Sequence, residues 1–276
     1  MSSTLYLVAT PIGNVGDMSV RGVETLRAAD FIAAEDTRVT GKLLNRFEIK
    51  KPTVSYHEHN KRASGEAILR RLLAGETCAL VTDAGMPAIS DPGEDLVRLC
   101  ASHGVEIIAV PGCCASVTAL AVSGLSSRRF CFEGFLPMEK KERSERLEAL
   151  KAETRTSILY EAPHRLMRTL TELYEALGDR ELAVCRELTK LHEETLRTTL
   201  SETIRHFTQT PPKGEFVLVL SGAPEQTAPA LTETEALDRV RALQSEGLSC
   251  KDACKQVAKE TGMSKNALYA LAVKMS

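Results

Sequence analysis

Short apolar runs alternate with amphipathic stretches from the N-terminus onward, and this alternation narrows the fold more than any other feature of the chain. LYLVA from Leu5 reads as a strand that Pro11 stops. A helix is expected over 20–29, with Ser19 placed to cap it. FIAA from Phe31 is a short buried strand, and 37–47 is a helix with Leu43, Leu44 and Phe47 on one face. A charged helix follows at 61–73, then a strand at 78–82, a helix at 94–103 and a strand at 105–110 closed by Pro111-Gly112. The small-residue helix at 113–123 suits close packing on a sheet. Such alternation predicts a parallel sheet with helices on both faces.

A second series has strands at 130–135, 157–160, 182–186, 195–199 and 216–220, with helices at 140–152 and 164–177. APEQTAPAL from Ala223 carries two prolines and few large apolar groups, so it reads as a linker. Three short helices are expected beyond it, at 234–245, 251–261 and 266–274. The expected organisation is an α/β domain over 1–124, a second over 125–222, a linker over 223–232 and a small helical domain over 233–276.

Composition removes several classes. No apolar run approaches the roughly 20 residues of a membrane helix, and no signal peptide is readable. With 35 Lys and Arg against 37 Asp and Glu, the chain is no generally basic nucleic-acid binder, although a local basic patch suffices for phosphate contacts. Eight cysteines, five of them in apolar stretches, read as reduced thiols of a cytoplasmic protein. Cys250 and Cys254 stand four apart without further ligands beside them, so no metal site is expected.

Ligands of open parallel sheets bind beyond the carboxyl ends of the strands. Four loops fall there: 10–14, 35–38, 83–93 and 111–116, all rich in Gly, Pro or Asp. Neither a Walker loop nor a G-x-G-x-x-G follows any strand, and Asp83 and Asp91 oppose a phosphate. Carboxylates in such a loop suit hydroxyls, amines, metal ions or a cationic ligand. Glycines and prolines there allow close backbone approach in a fixed shape.

Several of these segments carry a resemblance. TDAGMPAISDPG from Thr82 is similar to the signature loop of the ribosomal RNA small subunit methyltransferase I family, within the tetrapyrrole-methylase-like class. LYLVATPIGN from Leu5, AAEDTR from Ala33, PGCCAS from Pro111, FEGFLP from Phe132, LYEAPHR from Leu159 and GEFVLV from Gly214 match further, in order, through most of the chain. Thr82 replaces the usual Ser, and Cys113-Cys114 the usual Pro-Ser.

The resemblance implies two α/β domains of the tetrapyrrole methylase type. It places S-adenosylmethionine in the cleft between them. The C-terminal unit, with Gly247-Leu248-Ser249 before one helix and Thr261-Gly262-Met263-Ser264 before the next, is by its own residues similar to a helix-turn-helix. The resemblance further implies a homodimer and methyl transfer to the ribose 2′-oxygen of a cytidine in the decoding region of small-subunit ribosomal RNA. Carried over position by position, it puts the cofactor beside Thr10, Pro11, Thr82, Asp83, Ala84, Gly85, Met86, Cys114, Ala115, Tyr160 and Glu161.

A ribose hydroxyl needs a base. Glu35-Asp36-Thr37-Arg38 is the first choice, with Glu35 or Asp36 taking the proton and Arg38 holding a neighbouring phosphate. Asp36 equally suits the cap of the next helix. RNA, naked or in the 30S subunit, is expected to meet Arg128, Arg129, His164 and Arg165, with Lys140, Lys141, Arg143 and Arg146 as a further basic stretch. Lys251, Lys255, Lys259 and Lys265 in the C-terminal helices are the sharper candidates, against a plain helical cap or dimer element. The alternatives are a methyltransferase of a small tetrapyrrole-like substrate, a metal-dependent phosphoryl-transfer enzyme and a non-enzymatic nucleic-acid-binding regulator.

Overall fold

Five short strands make the first sheet: β1 (Thr4–Val8), β2 (Phe31–Ala34), β3 (Thr53–Ser55), β4 (Cys78–Val81) and β5 (Glu106–Val110). Their order is β3-β2-β4-β1-β5, and every neighbouring pair is parallel. Side chains alternate between two cores, as the strand period requires. Leu5, Leu7, Phe31, Ala33, Cys78 and Leu80 pack on one face with α3 (Lys61–Leu73) and α4 (Glu94–Ser102). Val8, Ile32, Ala34, Ala79 and Val81 pack on the other with α1 (Val20–Ala28) and α2 (Thr37–Arg46). Burial on both faces is why these strands read as continuous apolar runs. Ser19 caps α1 by accepting from the Gly22 N–H.

The second sheet joins β6 (Phe130–Phe135), β7 (Thr156–Glu161), β8 (Glu181–Arg186), β9 (Glu194–Thr199) and β10 (Phe216–Leu220) in the order β6-β7-β10-β8-β9. Only β6 and β7 are parallel; the remaining pairs are antiparallel. The helices α6 (Lys140–Ala152), α7 (Pro163–Leu177) and α8 (Leu200–Gln209) contribute to a core of Leu150, Leu166, Leu170, Leu182, Leu200, Phe207 and Leu218 on one face. The opposite face is covered by α5 (Ala115–Ser123), whose Ala119 and Leu120 meet Ile158, Ala183, Cys185, Val217 and Val219. The small-residue helix thus closes the second sheet rather than the first.

The computed structural model describes residues 3–224, 232–261 and 263–274. The linker positions 225–231 and Gly262 in the expected turn lie outside the described residues. By contacts the chain divides into Met1–Ala223 and Pro224–Ser276. In the latter, α9 (Glu233–Ser245), α10 (Cys250–Thr261) and α11 (Lys265–Lys274) enclose Ala236, Val240, Leu243, Ala253, Cys254, Val257 and Leu268. Thr232 and Glu235 form a reciprocal capping box at the start of α9.

Besides a single 3-10 turn at Val15–Asp17, one strand and one α-helix escape the sequence reading. β3 is three residues long, too short for any period to register. For α8 the signal was present: Leu200, Thr203 and Phe207 are buried at helical spacing, and Thr199 caps the Glu202 N–H.

Candidate active site at the sheet edge

A parallel sheet brings all its carboxyl ends to one edge, so the loops after β1, β2, β4 and β5 gather there. Hydrogen bonds zip them together. Thr10 and Gly85 exchange both backbone bonds, at 2.9 and 3.1 Å, and the Thr10 hydroxyl donates to the Thr82 carbonyl. Gly85 needs its glycine, since its φ is +89°. The Thr82 hydroxyl donates to Glu35 Oε2 at 2.6 Å, and Asp83 Oδ1 accepts from the Asp36 N–H at 3.1 Å.

Asp36 is the N-cap of α2, accepting from the Arg38 N–H, and it also forms a two-pronged ion pair with the Arg38 guanidinium. The side-chain and backbone bonds from Arg38 hold its carboxyl far below the usual carboxylate range. Of the two roles open to Asp36 in the sequence, the geometry supplies the cap.

A cavity of about 450 Å³ lies between this edge and the second sheet. Ile12, Ala84, Gly85, Met86, Cys114 and Ala115 line it from the first side, and Phe135, Tyr160, Glu161, Leu188 and Phe216 from the second. Tyr160 ties the two together, its hydroxyl accepting from the Ser116 N–H at 3.0 Å. Phe132 and Phe135 pack edge-on against its ring, and burial pushes its phenol up. Glu161 is 2% exposed; its carboxylate accepts from the Ala162 N–H and the Thr169 hydroxyl and pairs with Arg165.

A second cavity, about 520 Å³, adjoins Glu35, His57, Glu58, His59, Ala88, Ser90, Asp91, Pro92 and Glu94. Ser90 and Asp91 line both cavities. They sit in a loop held in unusual backbone: Ala88 and Ser90 have φ of +67° and +62°, in the left-handed region that non-glycine residues avoid. Burial first, then the charges of Glu35 and Asp83, push the Asp91 carboxyl up to about 7, against a bond from Thr82.

Seven of the eleven positions expected beside the cofactor line the first cavity: Ala84, Gly85, Met86, Cys114, Ala115, Tyr160 and Glu161. Thr10, Pro11, Thr82 and Asp83 do not; Thr10, Thr82 and Asp83 knit the loops behind it. Leu188 and Phe216 in the walls lie outside the loops singled out in the sequence. Ile12, Ser90 and Asp91 lie within those loops but not among the eleven positions, although Asp91 stands with Asp83 as a carboxylate of the 83–93 loop.

Among the residues expected to meet RNA, Arg128, Arg129 and His164 are exposed. Arg165 is corrected: its guanidinium donates to the Leu136 carbonyl and pairs with Glu161, both within the fold. Arg143 likewise is 3% exposed and donates to Glu172, Thr169 and the Pro137 carbonyl. Lys251, Lys255 and Lys259 are exposed on α10, and Lys265 at the start of α11 is half-buried. Among the described residues, no group of three or more His, Cys, Asp or Glu is arranged to hold a metal ion, and no helix is long and apolar enough to cross a membrane.

Two sheets facing a cavity at the strand ends are the architecture of a methylase class. The family model "Tetrapyrrole (Corrin/Porphyrin) Methylases" matches residues 4–204, and "RsmI C-terminal HTH domain" matches 231–276. Among solved structures, a diphthine synthase aligns with a TM-score of 0.63 at 16% identity, over 79% of this chain and 90% of that one. A cobalt precorrin-4 methyltransferase of cobalamin biosynthesis aligns at 0.56 and 21%, over 79% and 94%. At such identities they show the fold alone.

The chain belongs to the tetrapyrrole methylase family and, within it, to the family of ribosomal RNA small subunit methyltransferase I. A protein of that name from Synechocystis is 50% identical over 272 residues, 98% of each chain. Those from Bacillus subtilis and Escherichia coli O157:H7 are 47% and 43% identical, covering 96% and 98% of this chain and 92% and 94% of their own. The protein is a methyltransferase, and its methyl donor is S-adenosylmethionine. The first cavity fits that donor: its volume is that of a small-molecule site, its walls offer apolar side chains for a base, and Glu161 brings a carboxylate to a cation.

Proposed function

We propose that the protein methylates the ribose 2′-oxygen of a cytidine in the decoding region of small-subunit ribosomal RNA, in the cytoplasm. The observation that carries this is nearly full-length similarity, C-terminal helices included, to proteins named ribosomal RNA small subunit methyltransferase I. When bound, S-adenosylmethionine supplies an activated methyl group on a positively charged sulfur.

This chain's residues do the holding. Ala84, Gly85, Met86, Cys114 and Ala115 frame the donor from the first sheet edge, and Tyr160 and Glu161 from the second. Thr10, Thr82 and Asp83 act one layer back by locking the loops, and Pro11 stiffens the first of them. Alignment of donor and acceptor is worth at most roughly 7–11 kcal/mol of barrier. Glu35 lines the second cavity, and Arg38, whose side chain is 88% exposed beside the cap Asp36, remains available to a phosphate oxygen.

Arg128, Arg129 and His164 supply positive or polar surface to RNA, and Lys251, Lys255, Lys259 and Lys265 grip its backbone. The 30S subunit is our preferred substrate over naked RNA. Residues 1–124 and 125–222 act as two functional parts, and 223–232 links the second of them to a third, 233–276. A homodimer is supported by apolar groups on edge strand β6 and just after it, with Phe130 and Met138 42% and 67% exposed.

The test is transfer of labelled methyl to 30S subunits and to naked ribosomal RNA, both from a strain lacking the activity, followed by mapping of the modified nucleotide. One ribose methylated on a decoding-region cytidine is expected. No transfer to either substrate, or a methyl group elsewhere, overturns the reading.

A further inference from the structure

The geometry points to Asp91 as the proton acceptor of the transfer, standing on the wall between the donor cavity and a second cavity that receives the acceptor nucleotide. This rests on the function proposed above.

The two cavities meet along Ser90 and Asp91. A group on that shared wall is the one able to face a donor on one side and a ribose on the other. The second cavity, at about 520 Å³, has the volume of a nucleoside-sized site.

The wall is rigid. Ala88 and Ser90 hold left-handed backbone and Gly93 has φ +144°, and Pro92 disfavours helical backbone at Asp91. Ser90 also approaches the second sheet closely, its Oγ lying 2.8 Å from the position a Cβ on Gly134 would take. A base must keep its place to within a fraction of an ångström, and strained, over-determined backbone serves that need.

The other carboxylates nearby are engaged. Glu35 accepts from the Thr82 hydroxyl, Asp36 is paired with Arg38, and Asp83 accepts from the Asp36 N–H. Glu58 pairs with Lys61 and Glu94 with Arg98. Glu35, Glu58 and Glu94 line the second cavity alone and Asp36 and Asp83 line neither, while Arg38 holds Asp36 low and burial raises Asp83.

Asp91 is the reverse case. Burial and the facing charges of Glu35 and Asp83 raise its carboxyl to about 7, near the operating pH that suits a base. Tyr160 faces it from the second sheet, and His57 and His59 border the second cavity beside it.

In the step, the ribose O–H bond breaks and its proton passes to an Asp91 carboxylate oxygen. The freed pair on the ribose oxygen forms the bond to the methyl carbon. The methyl–sulfur bond breaks as that bond forms, and its electron pair stays on sulfur, which leaves neutral.

The experiment compares wild type with Asp91→Asn on 30S subunits, with donor affinity measured by calorimetry. The variant is expected to lose about 10²–10⁴-fold in kcat while donor Kd stays within about threefold. Wild-type log kcat should rise with pH at unit slope and level off above about 7, a limb the variant lacks. Independently of turnover, the Asp91 carboxyl carbon of the wild-type protein, followed by NMR, should titrate near 7.

Turnover of Asp91→Asn within about threefold of wild type, loss of donor binding in the variant, or an Asp91 carbon titrating in the ordinary carboxylate range each overturns the assignment. If both proteins methylate subunits equally, only Asp91 is wrong. If wild type methylates no ribose, the function proposed above falls with it.

Discussion

Asp36 and Asp91 are the same residue type at one sheet edge, and their surroundings drive them apart. Asp36 lies on the surface under the Arg38 guanidinium, which stabilises its charge; Asp91 lies in a half-buried wall between two cavities with Glu35 and Asp83 facing it. Its raised pKa has a consequence for stability. An unfolded aspartate ionises near 3.8, whereas Asp91 in the fold keeps its proton up to about 7. Between those values the folded state holds a proton that the unfolded chain releases, so stability falls as pH rises and the full cost stands above about 7. Asn carries no charge at any pH. Asp91→Asn should therefore raise the apparent melting temperature at about pH 8 and leave it unchanged near pH 3, measured by calorimetric scans. Equal shifts at both pH values would show that the carboxylate bears no burial cost. Arg143 and Arg165 carry a related lesson. Each is a candidate RNA contact in the sequence, yet distant chain supplies partners, Thr169 and Glu172 for Arg143 and the Leu136 carbonyl for Arg165.

At the scale of elements, the loop from Thr82 to Gly93 is the part on which the site depends. It leaves β4, pairs with the loop after β1 through Gly85, crosses both cavities and enters α4 at Gly93. A Cβ on Gly93 would lie 3.0 Å from Leu80 Cδ2 and 3.1 Å from the Ala88 nitrogen, at a φ of +144°. Gly93→Ala should cost about 1–3 kcal/mol of stability by denaturant titration and slow turnover, because relief of that strain moves Asp91. Unchanged stability together with unchanged turnover would show that the loop adapts. Most elements were legible beforehand because burial on both faces writes strands as unbroken apolar runs, as in FIAA from Phe31 and FVLVL from Phe216. Loop composition also marked the site's edge. What the runs do not carry is which sheet a helix joins: α5 follows β5 in the chain but packs on β7, β8 and β10.

For the whole molecule, the division into Met1–Ala223 and Pro224–Ser276 assigns the two cavities to the first unit and the lysine-bearing helices to the second. Each unit has its own core. Removing residues 232–276 should leave donor Kd unchanged by calorimetry and lower affinity for 30S subunits at least about tenfold, with a shallower dependence of log K on log salt. Undiminished subunit affinity would assign the helices a role other than RNA binding. The sequence by itself determined the βα alternation, the strand-end loops, the family and the methyl-donor chemistry, since these follow from local periodicity, turn residues and motif order. Only the tertiary structure decided which carboxylate is buried between cavities, which arginines turn inward, and which sheet α5 covers. Burial arises from groups far apart in the chain, and no local pattern encodes who their neighbours become.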